Sequence, residues 1–177
     1  MVFGVVAGLL PLLLASCTIG PCGVTWLWSG GSSYESGPAT NLILAPSQYN
    51  LAEVIYRNFL PGEQWPEANT NSLYCLAFGD HDATVPADFM ARFVGAVPRV
   101  FTGTNGLIFG PGVVTESESG RNVVRVTIST LSTHGDKAEA RVFYIAPSMV
   151  ADEKLQLAQA GAHWSVTKRK ELMRSYF

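Results

Sequence analysis

The densest group of titratable side chains in the chain is Gly79-Asp80-His81-Asp82. Two carboxylates flanking an imidazole could orient a general base or hold a divalent cation, since carboxylates raise the basicity of histidine and offer hard oxygen ligands. Spacing works against both uses. Neighbours on an extended segment alternate sides, so Asp80 and Asp82 can converge while His81 faces away from them. The plainer reading is a solvated turn whose aspartates bond nearby backbone. His134 and His163 fall in expected hairpin turns and are assigned no role. The chain has no G-x-S-x-G elbow, H-E-x-x-H helix, Walker loop or dinucleotide fingerprint. In Phe109-Gly110-Pro111-Gly112 the proline removes a backbone donor that a phosphate cradle would use. No catalytic, cofactor-binding or metal-ligating residue is therefore assigned, and no cofactor is expected.

Sulfur offers a second kind of chemistry. The cysteines are Cys17, Cys22 and Cys75, without C-x-x-C spacing or a neighbouring histidine, so they make no zinc signature. If Cys17 is otherwise engaged, Cys22 and Cys75 can pair in an oxidising compartment, closing a long loop for roughly 3–4 kcal/mol. Alternatively Cys75, inside the apolar run Leu73-Tyr74-Cys75-Leu76-Ala77-Phe78, is a buried thiol. Both readings stay open.

What engages Cys17 is suggested by the residues ahead of it. Positions 2–15 are uncharged and apolar, about the length of a signal-peptide core and short of the roughly 20 residues a membrane-spanning helix needs. Pro11 would also break such a helix. Leu14-Ala15-Ser16-Cys17 resembles the lipobox of bacterial lipoproteins, although the first basic side chain is Arg57 and only the α-amino group supplies positive charge before the apolar run. The resemblance implies that residues 1–16 are a signal peptide and that the Cys17 thiol carries diacylglycerol as the first residue of the mature chain. It also implies a membrane partner reached through that lipid, in the bacterial cell envelope. Ordinary secretion, to the periplasm or beyond, is the alternative.

The elements that would position any site lie further on. Residues 24–40 are rich in Gly, Ser and Thr, so residues 17–45 read as a flexible tether, with Trp26 and Trp28 placed at the bilayer interface or docked on the domain. Pro46-Ser47 followed by Leu51, Val54, Ile55 and Phe59 predicts an amphipathic helix ended by Pro61-Gly62. The run from Leu73 to Phe78 predicts a buried strand, and Pro86 opens a second helix with Phe89, Met90 and Phe93 on one face. A strand over residues 99–104 meets the turn signal Asn105-Gly106 before Leu107-Ile108-Phe109. Beyond it the period becomes two. Val124, Val126 and Ile128 alternate with Arg125, Thr127 and Ser129 as in a half-buried strand. Turns at Thr133-His134-Gly135-Asp136, Pro147 and Gly161 then separate successive antiparallel strands.

Helices first and strands after give one α+β domain over residues 46–177, with helices packed on one face of a curved antiparallel sheet. The chain is 177 residues, 47% hydrophobic and 15% charged, with net charge -2, which offers no electrostatic footprint for nucleic acid. Lys168-Arg169-Lys170 reads as the solvated face of an edge strand. The order of elements, closed by Gly161-Ala162-His163-Trp164-Ser165-Val166, resembles the nuclear-transport-factor-2-like fold, a cystatin-like α+β roll. That resemblance implies a conical pocket between helix and sheet, here lined by Ile55, Phe59, Phe89 and Phe93. Two functional readings follow. The favoured one is a non-catalytic cell-envelope lipoprotein whose domain binds a protein partner, a small ligand or its own copy. The other is a pocket enzyme using Asp80, His81 or Asp82 for acid-base chemistry, so whether the chain is an enzyme stays open.

Overall fold

A computed structural model describes residues 43–60, 72–79, 83–103, 105–110 and 113–176. The opening segment with Cys17 and Cys22, both tether tryptophans, and Asp80, His81 and Asp82 lie outside the described residues.

The chain enters the domain through a single 3-10 turn, Pro46–Gln48, where proline presets φ and lacks a donor that the first turn would leave unpaired. The Gln48 side chain accepts a hydrogen bond from the Ala45 amide at 3.2 Å. Helix α1 (Tyr49–Arg57) follows and buries Tyr49, Leu51, Ala52, Ile55 and Tyr56. Asn58 closes it by donating from its side chain to the Val54 carbonyl at 2.8 Å. Helix α2 (Ala87–Met90) runs into a 3-10 turn, Ala91–Phe93, and buries Phe89 and Phe93. Both helices stand where the sequence places them.

The strands are β1 (Leu73–Phe78), β2 (Ala83–Thr84), β3 (Val100–Thr102), β4 (Leu107–Gly110), β5 (Val113–Glu116), β6 (Val123–His134), β7 (Lys137–Ala146), β8 (Met149–Ala160) and β9 (His163–Tyr176). Among the described residues β4 and β5 form a separate antiparallel pair, and the other seven form one sheet, six of them in the order β2-β1-β6-β7-β8-β9 and β3 beside β1. From β6 to β9 the sheet is an antiparallel meander. Two-residue loops at Gly135-Asp136, Pro147-Ser148 and Gly161-Ala162 connect its hairpins, with φ of 61° at Gly135, 68° at Ser148 and 62° at Gly161, the left-handed backbone such tight turns demand. The fold is thus α+β, but the expectation of a wholly antiparallel sheet needs correction. Strand β1 lies parallel to both β6 and β3, so the sheet is mixed. β2 and β3 share one edge of β1, β3 opposite Tyr74 to Leu76 and β2 opposite Ala77 and Phe78. At the junction the Thr102 hydroxyl donates to the Leu76 carbonyl at 2.8 Å and accepts from the Val85 amide at 2.9 Å.

One refinement and one further correction follow from this topology. Asn105-Gly106 makes the expected turn, yet the strands on either side of it do not pair with each other. The turn passes the chain from the large sheet to the small one, because β3 pairs with β1 and β4 with β5. Nor is β6 half-buried along its first half. All residues from Val123 to Ile128 are buried, Arg125 and Thr127 included, and β6 opens to solvent only beyond them.

Burial on both faces has a physical cause. The inner face, carrying Tyr74, Leu76, Val124, Val126, Val142, Tyr144, Leu155 and Leu157, packs against α1 and α2 to form the main core. On the opposite face Leu73, Cys75 and Val123 pack with Val114 of β5 and with Leu107 and Phe109 of β4. The guanidinium of Arg125 lies 5.5 Å from the Phe109 ring centroid, so its charge is held under an aromatic lid.

Candidate functional site: the edge of the sheet

Ile55, Phe59, Phe89 and Phe93, the four residues expected to line a pocket, are 0–4% exposed and belong to the main core. Their rings fill the space between helices and sheet. Phe89 stands 5.5 Å from Phe93 and 5.9 Å from Tyr56, and Phe59 stands 5.8 Å from Tyr144, all in tilted arrangements. Tyr56 donates its hydroxyl to the Ala77 carbonyl at 2.5 Å, tying α1 to β1. In the same core the hydroxyl of Tyr74 is buried and has no hydrogen-bond partner among the described residues, and burial, with a smaller effect from Tyr144, pushes its pKa well above the usual phenol range.

The charged side chains near this core are spent on each other. On the helix surface Glu53 accepts from both Arg57 and Arg92 at 2.8 Å, which joins α1 to the segment after α2. Burial works to raise the pKa of Glu53, but hydrogen bonds from Arg92 and Arg57 outweigh it and hold the carboxyl below the usual range. Tyr49 donates to Asp88 at 2.9 Å, a second tie between the two helices. On the outer face of the sheet Arg141 and Asp152 form a forked ion pair across β7 and β8.

The strongest departure from the sequence reading is at Lys168-Arg169-Lys170. Lys168 and Lys170 are exposed as expected, but Arg169 turns inward. Its Nε donates to Glu153, which is only 2% exposed, and its guanidinium lies 4.5 Å from the Phe59 ring centroid. The cause is a register shift between Gln156 and Leu157, where β9 carries one residue more than β8. Val166 opposes Leu157 and Arg169 opposes Leu155, so the extra residue moves Arg169 to the same face as Trp164 and Val166. Simple alternation from Trp164 would have sent Arg169 to solvent.

Past Arg169, β9 gathers Glu171, Arg174 and Tyr176 on that same inner face, with Glu171 and Arg174 in an ion pair at 2.6 Å. The Tyr176 hydrogen bond outweighs the opposing effect of burial and, with the carboxylates of Glu171 and Glu153, raises the pKa of Arg174. Exposed apolar side chains lie beside them: Leu172 and Met173 are each 45% exposed and Tyr176 62%. Among the described residues β9 pairs only with β8, so this is an edge with chemistry on it: backbone donors and acceptors, paired charges and exposed apolar surface. Only the edge position of this strand was legible beforehand.

The remaining expected residues are dispersed. His134 and His163 are exposed at the ends of their strands. Cys75 is buried with Sγ 3.3 Å from the Gly103 carbonyl oxygen, while its expected partner Cys22 is outside the described residues. Trp164 and Val166 do face the core, though they are half-buried rather than enclosed. Among the described residues no three His, Cys, Asp or Glu side chains stand close enough to hold a metal ion, and no helix is long and apolar enough to cross a membrane. Comparison with known proteins finds no matching family model, no matching curated protein and no matching solved structure.

Proposed function

We propose that the chain is a cell-envelope lipoprotein, anchored through Cys17, whose α+β domain acts as a non-catalytic binding module and meets its partner with its surface. The anchor reading is supported by Leu14-Ala15-Ser16-Cys17 at the end of an uncharged apolar run. The binding reading is carried by one observation: the space between helices and sheet is packed with Ile55, Tyr56, Phe59, Phe89 and Phe93, each no more than 4% exposed. A reacting group needs a concave, accessible site, and among the described residues the space where a pocket was expected is lined by these enclosed side chains. The exposed edge of β9 is the surface best suited to recognition, because an unpaired strand offers backbone hydrogen bonds and alternating side chains to a partner.

The anchor is tested by expressing the chain in a bacterium fed radiolabelled palmitate and separating the lysate with a phase-forming detergent. The chain should take up label and enter the detergent phase, and Cys17→Ser should lose both. Equal label and partitioning in Cys17→Ser would overturn the lipid anchor.

A further inference from the structure

Strand β9 runs from His163 to Tyr176, and among the described residues its outer edge has no strand beside it. Its two halves differ. The first carries the exposed Lys168, a charge that discourages another strand from adding. The second carries Leu172, Met173 and Tyr176 exposed, with charges of both signs at Glu171 and Arg174.

We propose that this second half pairs antiparallel with β9 of a second copy of the chain, setting Glu171 opposite Arg174, Leu172 opposite Met173 and Arg169 opposite Tyr176 of the other copy. This rests on the reading of the domain as a binding module and names its partner. A two-fold antiparallel pairing that continues a sheet requires opposed residues to lie on the same face. In a regular strand Glu171 and Arg174 would lie on opposite faces. Here they share one, because a second register shift, between Asp152 and Glu153, inserts Leu172 into β9. Glu171 opposes Glu153 and Arg174 opposes Ala151, two positions on one face of β8. Arg169 and Tyr176, opposite Leu155 and Met149, share that face for the same reason. A second copy carries the same extra residue, so in this register the residues opposed across the two-fold share a face.

Charge selects the same register. Within one strand Arg174 already holds Glu171 at 2.6 Å, and the two-fold brings the same two groups opposite one another again, so the four charges alternate in sign. Sliding one strand by two residues in either direction would part Glu171 from Arg174 of the other copy and lose both cross-pairs. Leu172 and Met173 would cover each other at the centre. The interface uses the same edge on both copies, so it closes as a dimer and does not grow into a fibre.

The test uses the full chain in density-matched detergent, followed by sedimentation equilibrium. The unsubstituted chain should be dimeric at micromolar concentration. Glu171→Arg opposes Arg to Arg across the two-fold and Arg174→Glu opposes Glu to Glu, so each should weaken self-association at least about tenfold. Mixed in equal amounts, the two variants should recover a dimer containing one of each, because every cross-pair is then of opposite sign. A purely structural role for either residue could not give that recovery. A second readout needs no charge change: Lys170 stands opposite Ser175 in this register, so chains with Lys170→Cys mixed with chains with Ser175→Cys should cross-link on oxidation. Neither variant alone should exceed the unsubstituted chain. A monomeric unsubstituted chain, charge variants that dimerise undiminished, or a mixture that stays monomeric would each overturn the pairing. None of these results bears on the Cys17 anchor, which stands or falls on palmitate labelling.

Discussion

Replacing Arg169 by Met would take the positive partner away from Glu153 while keeping most of the side-chain volume that lies against Phe59. Glu153 is 2% exposed, so its carboxylate cannot recover in water what it loses in the ion pair. Removing one partner of a buried pair costs about 3–5 kcal/mol. Arg169 is itself 28% exposed, which lets solvent replace part of the interaction and places the expected loss near the low end of that range. The cation over Phe59 adds about 0.5–2 kcal/mol, part of which the Met side chain recovers by packing. The sum is about 3–4 kcal/mol, against a domain stability of about 5–15 kcal/mol. Urea unfolding at neutral pH reads this directly. The informative companion is the double variant Glu153→Leu with Arg169→Met, which removes both charges and should regain most of the loss, since apolar replacement of a buried pair is often close to neutral. A loss under about 1 kcal/mol for Arg169→Met, the behaviour of an exposed pair, would refute the inward placement of this side chain. So would a double variant no more stable than the single one.

Tyr74→Phe deletes a buried hydroxyl that has no partner among the described residues and should raise stability by about 1 kcal/mol in the same assay, whereas a loss would mean that the hydroxyl is bonded. Because the folded-state pKa of Glu53 is depressed, its contribution is complete above the unfolded value of about 4.3 and is lost as pH falls through the lower folded value. Glu53→Gln should therefore flatten the fall in melting temperature below about pH 4, and an unchanged acid limb would contradict the role given to Arg57 and Arg92. Trp164→Ala should cost about 1–3 kcal/mol, less than the 3–5 kcal/mol typical of an enclosed aromatic, because the indole is half-buried. A loss beyond about 4 kcal/mol would place the indole deeper than described.

The legible parts of the fold were those whose cause is local. Pro46 and the stripe Leu51, Ile55 and Phe59 announce α1, and Pro86 with Phe89 and Phe93 announces α2, because helix starts and apolar spacing are written within one turn or two. Gly135 and Gly161 announce the hairpins for the same reason. The parallel partners of β1 are set by which distant strand completes its hydrogen bonds, and Leu73 to Phe78 signals only that both faces are buried. Arg125 reads as outward by alternation, yet it is covered by Phe109 from a hairpin that lies in another sheet. Arg169 is the clearest case at the candidate site. Thr167, Lys168, Arg169 and Lys170 are all polar, so nothing in their order reveals the bulge that turns one of them inward.

In the proposed function the space between helices and sheet is a filled core and recognition takes place on the surface. Ala140 lies on the inner face of β7, 2% exposed, between Leu131 of β6 and Leu155 of β8. Ala140→Leu adds three carbons there. In a packed core they must displace neighbours, so urea unfolding should show a loss of about 1–3 kcal/mol. Stability equal to or above that of the unsubstituted chain would mean that the added carbons enter open space, and the account of a filled core would be wrong.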